Sequence, residues 1–171
     1  MGKTEQAEKS LRKAQAIDPD NAEMNFNLGL LLAEKSDLAG AEKCMRRAIK
    51  TNPDFAEAAF NLGVMISQKS PAETIKLCKK AYRLRPNNNR YGYTLAFYLN
   101  RSGQINEAIA ILQSIIKRPD ATADAYAFLG MIYRRQGKNA QAAEVYRKAM
   151  ENENLPMQQR QQFEAMLRAS N

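Results

Sequence analysis

The sequence predicts an all-α chain folded as a solenoid of antiparallel helix pairs. Three observations predict it: prolines at a near-constant interval, a helix–turn–helix pattern between them, and no sustained two-residue alternation that would mark a strand. Pro19, Pro53, Pro86 and Pro119 are separated by 34, 33 and 33 residues, each in a short polar turn such as Asp18-Pro19-Asp20 or Asn52-Pro53-Asp54. A unit of this size cannot bury its apolar face alone, so neighbouring units must stack to share a core.

Residues 4–17 read as a second helix without its first, with Ala7, Leu11 and Ala14 on one face, Pro19 closing it, and Gly2 where an internal turn belongs. A chain that opens in mid-repeat predicts further repeats or another domain upstream. In the next unit the first helix carries Asn27-Leu28-Gly29 and then Leu32, and the second carries Ala41, Met45 and Ala48. The marks recur as Asn61-Leu62-Gly63 and Ile66 with Thr74, Cys78 and Ala81; then Thr94-Leu95-Ala96 and Leu99 with Ala108, Leu112 and Ile115; then Phe128-Leu129-Gly130 and Tyr133 with Ala142, Tyr146 and Ala149. Spacings of four and three place each trio on one helical face. Gly103 and Gly137 mark turns inside pairs, and the second unit is one residue short near Ser70-Pro71. Pro156 opens a last helix, about 156–169, whose Phe163, Met166 and Leu167 can face the array while Gln158, Gln159, Arg160, Gln161, Gln162 and Arg168 face water.

Leu-Gly in the first helix, Ala–bulky–Ala in the second and a closing Pro resemble the tetratricopeptide repeat, whose signature runs over about 34 residues. The resemblance covers nearly the whole chain. It implies a right-handed superhelical array over residues 1–171: a half repeat 4–21, full repeats 22–55, 56–88, 89–122 and 123–154, and a capping helix 156–169. The third repeat departs with Ala96 for Gly and Ile115 for Ala, which predicts a slightly wider spacing of its helices. The chain is also similar to bacterial repeat regions. Residues 91–99 resemble repeat tails attached to multihaem cytochromes, though no haem-attachment motif is present.

The 171 residues contain no histidine, and their only cysteines are Cys44 and Cys78. Histidine's absence removes the commonest general base and neutral metal ligand, and no Cys-x-x-Cys exists for zinc or redox chemistry. The expectation is therefore no enzyme, no cofactor and no metal. Cys78 falls at a core position, Cys44 lies one place before the equivalent position of its own repeat with partial exposure expected, and a bridge between them is not favoured. Gly29, Gly63 and Gly130 lie inside helical patterns and read as close-packing positions; Gly2-Lys3-Thr4 lacks the upstream glycine and strand of a nucleotide-binding loop. No apolar run approaches the roughly 18 residues of a membrane span. The first residues hold no signal-peptide pattern, and the compartment is left open.

Net charge is +8, with Lys43, Arg46, Arg47, Lys50, Lys76, Lys79, Lys80, Arg83 and Arg85 crowded on second helices. This reads as a solvated outer face; a nucleic-acid surface is disfavoured because aromatic residues do not interleave with these charges as stacking platforms would, Tyr82 standing alone among them. In the family, inward positions of first helices line a concave groove for a peptide or helix. Carried over by register, these are Phe26, Asn27 and Leu30; Phe60, Asn61 and Val64; Arg90, Tyr93, Phe97, Asn100 and Arg101; and Phe128, Met131, Arg134 and Arg135. Asn27 and Asn61 resemble the backbone-holding asparagines of O-linked GlcNAc transferase repeats. The carboxylate clamp of chaperone adaptors is not reproduced, since Phe26 and Phe60 replace its polar positions. The resemblance implies a protein-interaction scaffold, binding a partner with apolar anchors and acidic flanks. The alternatives are self-association through the stripe Ala7, Leu11, Ala14 and Ile17, and nucleic-acid binding on the basic face.

Overall fold

The computed structural model describes residues 2–168, with side chains from Glu5 onward; the final residue of the expected 156–169 helix and the side chains of Lys3 and Thr4 lie outside this range. Among the described residues are ten helices and no strand. The chain divides after Arg85 into two compact units. The first holds α1 (Gly2–Ile17), α2 (Ala22–Glu34), α3 (Leu38–Thr51), α4 (Ala56–Met65) and α5 (Pro71–Leu84). The second holds α6 (Asn89–Arg101), α7 (Ile105–Ile116), α8 (Ala123–Arg135), α9 (Asn139–Glu151) and α10 (Met157–Arg168).

In the first unit α2 pairs with α3 and α4 with α5, and α3 also packs on α4. Side chains cap α2 and α3, where Met24 N donates to Asn21 Oδ1 at 2.9 Å and Gly40 N to Asp37 Oδ1 at 2.9 Å; α4 and α5 start without a side-chain cap. At the crossing of each pair the helices meet through small residues. A Cβ on Gly29 would lie 3.1 Å from Met45 Cγ and 3.3 Å from Ala41 O; one on Gly63 would lie 3.1 Å from Leu77 Cβ. Thr74 fills the alanine position of α5, fully buried, and its hydroxyl donates to Gly63 O at 2.9 Å, so a buried polar group is satisfied across the crossing.

Three expectations change in this unit. Gly2 is helical rather than a turn, a small cost at a helix end whose first amides have no intrahelical partner anyway. Cys44 is buried at 7% exposure, because Leu11 of α1 packs against the cluster of Leu28, Leu32, Ala41 and Cys44. The same packing takes Leu11 out of the stripe proposed for self-association and leaves Ile17, 86% exposed, as its outlying member. A buried polar anchor accompanies this contact. Asn25, fully buried, donates to Pro19 O at 2.8 Å and Asn21 O at 2.7 Å, and accepts from Gln15 Nε2 of α1 at 2.7 Å.

In the second unit α6 pairs with α7, α8 with α9, and α10 packs chiefly on α9. Asn88 caps α6 by accepting from Tyr91 N at 3.1 Å. Ala96 and Ile115, the departures from the repeat pattern, are both fully buried. Phe163 of α10 is 2% exposed, its ring 6.2 Å from that of Tyr126 and 6.0 Å from that of Tyr146. Arg118 ties the loop before α8 back to the start of α6, donating to Pro86 O at 2.7 Å and to Asn89 Oδ1, while Asn89 donates to Asp120 O at 2.6 Å.

The turns inside three pairs share one device. Asp37 N donates to Leu32 O at 2.8 Å, Gln104 N to Leu99 O at 2.9 Å and Lys138 N to Tyr133 O at 2.9 Å, the six-to-one bond that requires a left-handed residue just before the donor. That residue is Gly103 (φ 81°), Gly137 (φ 72°) and, unexpectedly, Ser36 (φ 65°). The short turn of the second pair dispenses with it: Ser70 N donates to Ile66 O at 2.8 Å, and Pro71 starts α5 at once.

Two predictions follow from this packing. Ser36→Gly removes a Cβ from the left-handed region, and this relief outweighs the entropy glycine adds to the unfolded chain. The urea midpoint should rise by the equivalent of about 0.5–1 kcal/mol, and an unchanged or lower midpoint would contradict the account. Cys78 is fully buried, and burial pushes its thiol from the ordinary 9.0 up to about 12. Because the folded value is the higher one, its contribution to stability is whole below pH 9 and is lost as pH rises towards 12. Iodoacetamide labelling read by peptide mass spectrometry should track urea unfolding for Cys78; full labelling of the folded chain would show the site to be open.

Candidate functional site

The largest gathering of expected groove residues lies in the second unit, on the face that α6 and α8 present together. Tyr93 and Phe97 stand one turn apart on α6; Phe128, Met131, Arg134 and Arg135 stand three and four apart on α8. Both stripes line one cleft of about 760 Å³. Its walls are aromatic. The Tyr93 and Phe128 rings lie 5.5 Å apart at 55°, and the Phe97 ring is 6.4 Å from that of Phe128. Phe97 is 38% exposed, a large apolar group held towards water, whereas Phe128 is 7% exposed and belongs half to the core.

Charge surrounds this apolar centre. Arg134 and Arg135 line the cleft and are exposed, and the Arg101 guanidinium carbon sits 5.7 Å from the centre of the Phe97 ring. Asp124 is the acidic member; with burial as the larger cause, its charge raises the Tyr93 hydroxyl above its usual range. Tyr146 enters from α9. Its ring fills the space over Gly130, where a Cβ would lie 2.7 Å from the hydroxyl oxygen and closer still to the ring. Burial raises the Tyr146 hydroxyl, and the charge of Arg134, together with a hydrogen bond to it, partly offsets this. One glycine thus lets a second-helix side chain reach the cleft and engage an arginine of its rim.

The remaining expected residues fall elsewhere. In the second unit Arg90 is exposed and Asn100 half-buried, and neither lines the cleft. In the first unit Phe60 is 3% exposed and belongs to the core, so it offers a ligand almost no surface. Leu30 packs against Met45, Leu62 and Ile66. Phe26 is half-buried with its ring 4.9 Å from that of Phe55. Val64 is 38% exposed and Asn27 exposed, while the Asn61 amide donates to Glu57 O of its own helix at 2.8 Å. Five cleft residues escaped the register argument, among them Asn139 at the start of α9. Asp124 and Ala127 share the stripe of Met131 and were within its reach; Tyr146 and Met166 come from α9 and α10, which first-helix spacing does not address.

Among the described residues no group of three or more His, Cys, Asp or Glu could hold a metal ion, and no helix is long and apolar enough to cross a membrane.

The model of the cilia and flagella-associated protein 70 middle TPR-like domain matches residues 1–154. Among solved structures, MamA is 22% identical with a TM-score of 0.78, over 89% of this chain and 90% of that one. YrrB, described as a TPR protein with an unusual peptide-binding site, is 19% identical with a TM-score of 0.75, over 92% and 82%. PilF of Pseudomonas aeruginosa is 21% identical with a TM-score of 0.68, over 94% and 73%. No curated protein matches by sequence. At such identities the structural likeness speaks for the fold, an all-α helical-repeat solenoid, and the family model speaks for descent. The chain belongs to the tetratricopeptide-repeat family, matching its CFAP70 middle TPR-like domain, a fold that serves as a scaffold for protein–protein interaction.

Proposed function

We propose that this chain is a binding module rather than an enzyme, and that it seats a short segment of a partner protein in the cleft between α6 and α8. The observation that carries the reading is the half-exposed ring of Phe97 beside Tyr93, Phe128 and Met131 in one concavity. An exposed aromatic cluster in a concave site offers an apolar anchor the surface it needs to leave water. The rim arginines select what flanks that anchor: with Arg134 and Arg135 against Asp124, the balance favours acidic residues beside it. YrrB supports the reading at the level of the fold, because a TPR protein of similar structure is described as having a peptide-binding site.

The half-repeat and full-repeat boundaries 4–21, 22–55, 56–88, 89–122 and 123–154, with α10 as the cap, are part of this proposal. They make α6 and α8 the first helices of consecutive repeats, the positions from which the family's ligand groove is built.

Peptide display on the whole chain should enrich sequences with one or two large apolar residues flanked by Asp or Glu. Phe97→Ala with Met131→Ala should weaken the selected peptide by about tenfold or more, with helicity unchanged. Arg135→Glu should lower the association rate and flatten its salt dependence. Equal binding by the Phe97/Met131 variant would remove the cleft from the proposal.

A further inference from the structure

The first unit has a concavity of its own, on different elements and with different chemistry. It lies between α3 and α5, has a volume of about 860 Å³, and is walled by Arg46, Lys76, Lys79, Lys80 and Arg83 with Glu73 as its acidic member. Arg46 is committed internally. It donates to both carboxylate oxygens of Glu73, at 2.6 and 3.0 Å, and to Glu42 at 2.9 Å, which holds both carboxyls below their usual range and bridges α3 to α5. With Arg46 and Glu73 paired, the cleft keeps the field of Lys76, Lys80 and Arg83. Its floor is apolar: Ile49 and Leu77, both half-buried, over Leu62.

We propose that this cleft docks an acidic amphipathic helix of a partner protein. Charge complementarity sets the sign of the partner, and the apolar floor sets its amphipathic character. The walls are two helices that present side chains and no sheet edge, so an extended ligand would find no row of amides to satisfy its backbone; a helix satisfies its own. From Ala72 to Arg83 the lining runs along α5 for about 16 Å at about 1.5 Å per residue, room for three turns of such a helix. No aromatic ring stands among the residues that line it, which disfavours stacked nucleic-acid bases. The site shares no residue with the cleft between α6 and α8 and does not depend on a ligand there.

The test uses the full chain and a fluorescent synthetic helix with leucines three and four apart and glutamates on both flanks. A scrambled peptide of identical composition and a single-stranded oligonucleotide of equal charge serve as competitors, all at low ionic strength. Saturable binding is expected. Lys76→Glu/Lys80→Glu/Arg83→Glu should weaken it about tenfold or more, whereas Lys117→Glu/Lys138→Glu/Arg147→Glu, with the same net charge, should change it less than about threefold. The scrambled peptide should bind about fivefold or more weaker, since it keeps the charge and loses the apolar face. If circular dichroism shows that the cleft variant loses helicity, the corresponding glutamine triple is measured instead. Equal binding of the scrambled peptide, tighter binding of the oligonucleotide, equal loss in both triples, or no binding of the helix would each overturn the proposal.

Discussion

Where the helices of a pair cross, the facing positions hold small residues: glycine, alanine and, in one pair, threonine. Gly29 faces Ala41, Gly63 faces Thr74, and the Ala96, Ala108 and Ala142 positions are fully buried. A methyl on Gly29 or Gly63 would press to 3.1 Å on side chains of the facing helix. This steric limit brings the backbones close enough for residues four and seven places along, such as Met45 and Ala48 or Cys78 and Ala81, to close the core. Glycine inside a helix costs about 1 kcal/mol of propensity, and close packing at the crossing outweighs it. The turn geometry follows: helices this close must reverse within a few residues, and a left-handed residue achieves that at Ser36, Gly103 and Gly137.

The same limit explains why the fold was legible from the chain and why the cleft was only half so. Prolines, Leu-Gly pairs and Ala–bulky–Ala trios are direct marks of the crossing, so the helices appear where those marks stand. First-helix register found Tyr93, Phe97, Met131, Arg134 and Arg135 because spacings of three and four put them on one face. It missed Tyr146, whose place in the cleft depends on a space above Gly130 that belongs to no single helix. Register also counted Phe60 as a groove residue, although its ring lies inside the core. Periodicity tells which face a residue is on. It does not tell how far a neighbouring element covers that face, which is why Cys44, one place off the core position, is nevertheless buried where Leu11 of α1 packs against its cluster.

Polar groups were the least legible. Asn25 belongs to none of the repeat's marks, yet it is fully buried and ties the Pro19 turn, the start of α2 and Gln15 of α1 together. An amide can satisfy donor and acceptor roles in several directions at once, so its environment cannot be deduced from spacing. Thr74 is similar: its hydroxyl is tolerable in the core only because a carbonyl of the facing helix lies 2.9 Å away. Both residues are explicable once a partner is seen, and neither announces that partner.

Helix α5 shows how little of a repeat the core consumes. Thr74, Cys78 and Ala81 are fully buried in it, while Lys76, Lys80 and Arg83 project from the same helix into the basic cleft. Because a trio at spacings of four and three satisfies the packing requirement, the intervening positions are free to vary in charge without disturbing the crossing. The Arg46–Glu73 pair spans that freedom, linking α3 and α5 through exposed side chains rather than through the core. A repeat of this kind therefore separates two problems that most folds solve together. The small residues at the crossings hold the helices, and the residues between them decide what the surface can bind, which is how one chain carries an aromatic cleft in one unit and a cationic one in the other.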